Sequence, residues 1–262
     1  MFLRQNICEA ISFFAGNKSI RKTLQATFYK MVLVDFPLAW PDLLKDLISK
    51  LQNANSNGEI FGVLLSLKTI SEVFEFVQVN TDKRATLKLI IGQVYPFYES
   101  LVLGQINNWN AESPMLMNLI LKSITNSSRI DVNDYFAAPE KLDLWMKILA
   151  RILHLPFLDL TLSALAENSV SEIDKKQKSY EWKTRINASN ILVVFFNFSE
   201  RVTLRAKASL NVETSTWQHQ LSQNFLHNYS LNFVEAFYKL LEGNSQNQNF
   251  LPPLFVINIL RS

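Results

Sequence analysis

"DFPLAWPDLL", residues 35–44, is the stretch whose reading decides the fold. A helical run of apolar residues leads up to it, and another follows at once. Pro37 pushes the residue before it out of the α region, so the first helix must stop there. Pro41 has a φ already near the helical value and suits the first turn of the next helix. Asp42 lies beside that helix's positive end. Trp40 is left at the corner, where it predicts an aromatic plug between both helices. If such a tryptophan is buried, truncation to Ala costs about 3–5 kcal/mol. The stretch therefore reads as a device that reverses a helix within a few residues.

The same period extends along the chain. In residues 57–78, Ile60, Val63, Leu64, Leu67, Phe74 and Val77 form one helical stripe. Phe61, Leu65, Val73 and Phe76 form a second stripe beside it, and Glu59, Lys68, Glu72 and Glu75 mark the wetter side. Apolar cover on two flanks implies neighbours on two flanks. Punctuation by Pro, Gly and Asn predicts about ten helices, near 2–15, 18–36, 41–52, 57–78, 82–105, 113–126, 139–154, 176–204, 219–242 and from 252 onward. Pro96 falls inside one of them and predicts a bend. Pro114 and Pro139 fall near first turns, where a missing N–H costs little. An antiparallel pair of such helices cannot bury its apolar face alone, so pairs must stack. The expectation is an all-α fold, an α-solenoid of HEAT-type helix pairs. It forms one segment over 1–262, with about five pairs and an irregular insertion near 155–175.

Composition narrows the function. Only 6 glycines occur in 262 residues, and neither G-x-G-x-x-G nor G-x-x-x-x-G-K appears, so no phosphate loop is expected. A net charge of +3 with no basic stripe predicts no direct nucleic-acid contact. No apolar run reaches the length of a membrane span. Cys8 has no partner for an internal disulfide, lies on an apolar helix and reads as a buried structural thiol. His154, His219 and His227 are scattered without ligand spacing. Asp131 and Asp134 fall in a polar segment before Pro139 and read as solvated turn residues. The "DKKQK" run at 174–178 reads as a solvated face. No catalytic residue, metal ligand or cofactor is expected.

The opening stretch also carries a family likeness. Asp35, Phe36, Pro37, Trp40, Pro41 and Leu43 match D-[FY]-P-x-x-W-P-x-L, a pattern of the third HEAT repeat in the importin-β (karyopherin-β) superfamily of nuclear transport receptors. Arg4, Asn6, Ile7, Glu9, Ala10 and Ile11 are similar to the segment that precedes it there. "YEWKTRINASNILVVFFNFSER" resembles the importin-seven/importin-eight branch through Trp182, Lys183, Arg185, Ala188, Ile191, Leu192 and Arg201. Asn187 stands where a second tryptophan is usual, and Ile186 replaces a basic residue.

The resemblance implies a binding protein rather than an enzyme. Its partners would be cargo proteins, Ran in its GTP form and FG-repeat nucleoporins, in cytoplasm and nucleus and at the nuclear pores. In that family the second helix of each pair lines a concave, partner-binding face. The implied contacts are Asp42, Lys45, Asp46 and Lys50 on one helix, and Lys141, Lys147 and Arg151 on another. First helices lie on the convex side and accept phenylalanines of nucleoporins. The first family repeats have no counterpart before Met1, so the resemblance implies a partial chain. The alternative is a HEAT scaffold that joins proteins without Ran.

Overall fold

The computed structural model describes residues 2–76, 82–155, 179–207 and 216–246. Among these the fold is all-α, without strands. The helices are α1 (Phe2–Phe13), α2 (Lys18–Asp35), α3 (Leu43–Gln52), α4 (Asn57–Val73), α5 (Asp82–Asn107), α6 (Ser113–Ser127), α7 (Pro139–His154), α8 (Tyr180–Lys207), α9 (Thr216–Phe225) and α10 (Leu231–Gln246). A 3-10 turn at Asp134–Ala137 precedes α7, and a π-helical turn at Leu226–Ser230 joins α9 to α10. The chain divides into two compact units, 1–102 with 115–130, and 103–114 with 131–262.

In the first unit the helices form two layers. Arg4 at the start of α1 meets Asp35 at the end of α2, so these two run antiparallel. Glu9 pairs with Lys50, and Arg4 shares a groove with Trp40 and Leu43, so α1 and α3 run parallel. Arg21 stacks over Phe61, and Phe36 packs edge-on to Phe74, so α2 and α4 are parallel. Asn126 donates to Ser71, and Arg129 pairs with Glu75, which places α6 parallel to α4. Tyr95 and Tyr98 of α5 meet Ser127 and Ser123 of α6 in antiparallel order. Thus α2, α4 and α6 make one layer of parallel helices, and α1, α3 and α5 belong to the other. That is HEAT-type pairing.

Helix α4 sits in the middle, with Phe61 through Leu67 all buried. Ser56 caps its start by accepting from the Glu59 N–H, while the Glu59 carboxylate accepts from the Asn55 N–H. The second stripe, however, fades at its end. Phe76 is 67% exposed and Val73 half-buried, because the helix stops at Val73 and the turn over 74–76 keeps Phe74 in the core but carries Phe76 outward. Val77 lies outside the described residues.

In the second unit α7 and α8 are antiparallel: Arg185 reaches Leu155, and Phe136 of the 3-10 turn packs on Phe195. Phe195 and Phe198 of α8 meet Phe225 and Trp217 of α9, again antiparallel. Trp145, Phe136, Phe195 and Phe225 are each at most 1% exposed and form the core. The expected helix at 219–242 is two helices with a π turn between them. The expected insertion beyond Leu155, the DKKQK run and the helix from 252 lie outside the described residues. No described helix is long and apolar enough to cross a membrane.

Candidate functional site

The D-F-P-x-x-W-P turn is a clasp. The Asp35 carbonyl accepts from the N–H groups of Ala39 and Trp40 at 2.7 and 3.0 Å. Its carboxylate takes a two-pronged contact from Arg4: Nε to Oδ2 at 2.9 Å and Nη2 to Oδ1 at 2.9 Å. Arg4 Nη1 also donates to the Ala39 carbonyl at 2.7 Å. One guanidinium therefore fixes the end of α2, the turn and the start of α1 together. A planar fork suits this task and an ammonium does not. Phe36 is buried, and its peptide bond to Pro37 is cis.

Two details differ from the expectation. Pro41 lies in the turn ahead of α3, and Asp42 is the N-cap residue without a side-chain cap bond. Trp40 is only half-buried, edge-on to Phe28 with ring centres 6.0 Å apart. It borders a groove of about 280 Å³ between α1 and α3, together with Arg4, Cys8 and Leu47. The plug thus keeps one face open, and the cost of its truncation falls below that of a fully buried tryptophan.

On α3, Asp42, Lys45 and Asp46 are exposed, while Lys50 is tied to Glu9 at 3.0 Å. Lys45, Asp46 and Lys50 share one helix in the first unit, and Asp42 is its N-cap. In the second unit, Lys141 lies over the Tyr135 ring at 5.5 Å. Lys147 pairs with Asp143 at 2.6 Å, and exposed Arg151 donates to the Asn107 amide oxygen at 3.2 Å. The implied contacts therefore form two separate clusters, one in each unit.

The second motif is structural. Trp182 and Arg185 are 1% and 4% exposed. Arg185 donates to the carbonyls of Glu181 and of Leu155, the C-cap of α7, and stacks on Trp182. Burial lowers its pKa to about 10, against the pull of Glu181. The guanidinium satisfies an orphan carbonyl at a helix end. Lys183, half-buried, sits over the Tyr180 ring at 5.0 Å.

Asp134 is a turn residue as expected, but Asp131 is not a solvated one. Asp134 opens the 3-10 turn, and both are half-buried. Asp131 accepts from Gln218 at 3.0 Å and faces Arg201 at 3.9 Å, so it tethers α8 and α9. Cys8 is buried as expected, and desolvation pushes its pKa up to about 11. No group of His, Cys, Asp or Glu among the described residues could hold a metal ion.

Sequence reasoning missed the groove between α7 and the π turn with α10. A signal was present. Leu221, Phe225, Tyr229, Phe233 and Phe237 recur at strict four-residue spacing. In a regular helix that spacing drifts by about 40° per step. A wider π turn takes out part of the drift, and Phe225, Phe233 and Phe237 all end up buried.

Residues 17–171 match the family described as Exportin 1-like protein (Xpo1). Neither the curated proteins nor the solved structures yield a match.

Proposed function

The chain belongs to the exportin 1-like family, and on that premise we propose that it serves as a nuclear transport receptor that binds cargo, Ran-GTP and FG-repeat nucleoporins and carries protein into the nucleus. The family is one of transport receptors rather than enzymes. The observation that carries the reading is the match over residues 17–171, laid on HEAT-type pairs whose second helices present charged side chains. Asp42, Lys45, Asp46 and Lys50 on α3, and Lys141, Lys147 and Arg151 on α7, are the partner contacts in this proposal. Helices α2, α4 and α6 would supply the nucleoporin-facing side of the first unit. Tyr29, Leu33 and Val34 are exposed apolar residues on α2 and fit that role. The motif around Trp182, Lys183 and Arg185 supports placement in the importin-seven/importin-eight branch. Its buried geometry makes it a marker of descent rather than a contact surface. The proposed setting is shuttling between cytoplasm and nucleus through one solenoid segment over 1–262.

The test is a pull-down with three baits: Ran loaded with GTP, Ran loaded with GDP, and an FG-repeat nucleoporin fragment. Retention on the GTP form and on the FG fragment, but not on the GDP form, is the expected result. A folded chain that ignores all three overturns the transport reading and leaves the scaffold alternative.

A further inference from the structure

The second unit carries a groove of about 390 Å³ between α7 on one side and the π turn with α10 on the other. Its floor is apolar, because Met146, Leu153 and Phe233 are each at most 4% exposed. Ala150 and Ala236 also line it and are only half-buried, so two small side chains leave the gap open.

The rim of this gap and the helix turn beside it carry two bases, Lys147 and Arg151, against one acid, Asp143. Asp143 is the acid in the lining, and both its oxygens are engaged, Oδ2 by Lys147 at 2.6 Å and Oδ1 by the Tyr229 hydroxyl at 3.1 Å. The hydrogen bond from Lys147, then that from Tyr229, holds this carboxyl below its usual range. The α7 rim carries Lys147 and His154, both exposed. Arg151, one turn on from Lys147, bonds a neutral amide, and among the described residues no ion pair cancels its charge. The residues contributed by the π turn and α10 are uncharged. The π turn is a second observation, since such single-turn departures from the α-helix concentrate at functional sites.

We propose that this groove docks an apolar side chain of a partner protein segment whose flanking residues are acidic. The apolar side chain enters the gap beside Ala150 and Ala236, and the flanking carboxylates meet Arg151, with Lys147 beside it on the same rim. The proposal rests on the reading of α7 as a partner-binding helix and names the chemistry of the segment it takes.

The experiment is selection of a phage-displayed library of random dodecapeptides on the full chain, followed by titration of the enriched peptides. Enriched sequences should carry a large apolar residue between Asp or Glu residues. Ala236→Trp, which fills the gap, should abolish their binding. Arg151→Glu, at an exposed position, should weaken it about tenfold at low salt, with the difference shrinking as salt rises. Circular dichroism confirms that both variants fold, and the exposed Arg151→Glu decides alone if Ala236→Trp does not. No enrichment, enrichment of basic or purely polar peptides, or binding that Arg151→Glu leaves unchanged overturns the proposal. The readout uses neither Ran nor nucleoporin. Failure on those baits with peptide capture intact removes the transport reading alone, and the converse removes only the groove.

Discussion

Replacing Gly62 by alanine should separate two helices rather than strengthen one. In an exposed helix interior, Gly→Ala gains about 1 kcal/mol of helix propensity. At Gly62 an added Cβ would sit 2.6 Å from the Ser12 Cβ, with the Ser12 Cα and Oγ closer still. Carbon atoms prefer about 3.5–4.0 Å, so α1 must back away from α4 by about 1 Å. No rotamer change relieves this, because one of the crowded atoms belongs to the Ser12 backbone. The displaced surface includes Ile7 and Ile11, which are 2% and 0% exposed. Overpacking of this kind costs about 1–3 kcal/mol, sometimes more, so the clash should outweigh the propensity gain. Gly92 and Gly104 of α5 are internal controls, since nothing lies within 4 Å of a Cβ built on either. Gly92→Ala and Gly104→Ala should stabilise by about 0.5–1 kcal/mol. The assay is urea unfolding followed by circular dichroism, with hydrogen exchange of α1 as the local readout. Gly62→Ala should lower the midpoint and speed exchange in α1. Ser12→Gly should rescue it only in part, because the backbone contact remains. A Gly62→Ala protein as stable as the Gly92→Ala protein would refute the close approach of α1 and α4.

Other expectations follow from the clasp and the core. A double-mutant cycle on Arg4→Ala and Asp35→Ala should return a coupling of about 1 kcal/mol, because the pair is two-pronged but part-exposed; additive losses would show the clasp to be idle. Tyr98→Phe removes a buried hydroxyl bond to Ser123 at 2.9 Å and should cost about 1 kcal/mol in the same unfolding assay. The Cys8 thiol holds its proton more tightly folded than unfolded, with its pKa raised from 9.0 to about 11. Its contribution to stability is therefore fully present below pH 9.0 and is lost as pH rises through about 11. Cys8→Ala should flatten that part of the stability profile relative to the parent, and equal slopes would count against the burial.

Much of this was readable from residue order alone. Pro37 and the stripes on α4 announce helical hairpins and a middle helix, since both depend on local geometry and period. Pro139 marks the start of α7 for the same reason. What escaped depends on partners distant in sequence. Arg4 and Asp35 are 31 residues apart, and nothing local says that one grips the other. Asp131 reads as a turn residue until Gln218, 87 positions later, closes on it. Trp40 stays half-open because its neighbours, not its type, decide burial. The candidate contacts on α3 and α7 rest on which helix layer faces a partner. Helix pairing defines the layers, and contact with a partner, not residue order, selects between them.

The most direct measurement of the central claim is distribution of the labelled chain in digitonin-permeabilised cells, beside an inert dextran of equal mass. A transport receptor should concentrate at the nuclear rim above the dextran, and competing FG-repeat fragment should release it. A chain that spreads as the dextran does, with no rim signal, would contradict the account.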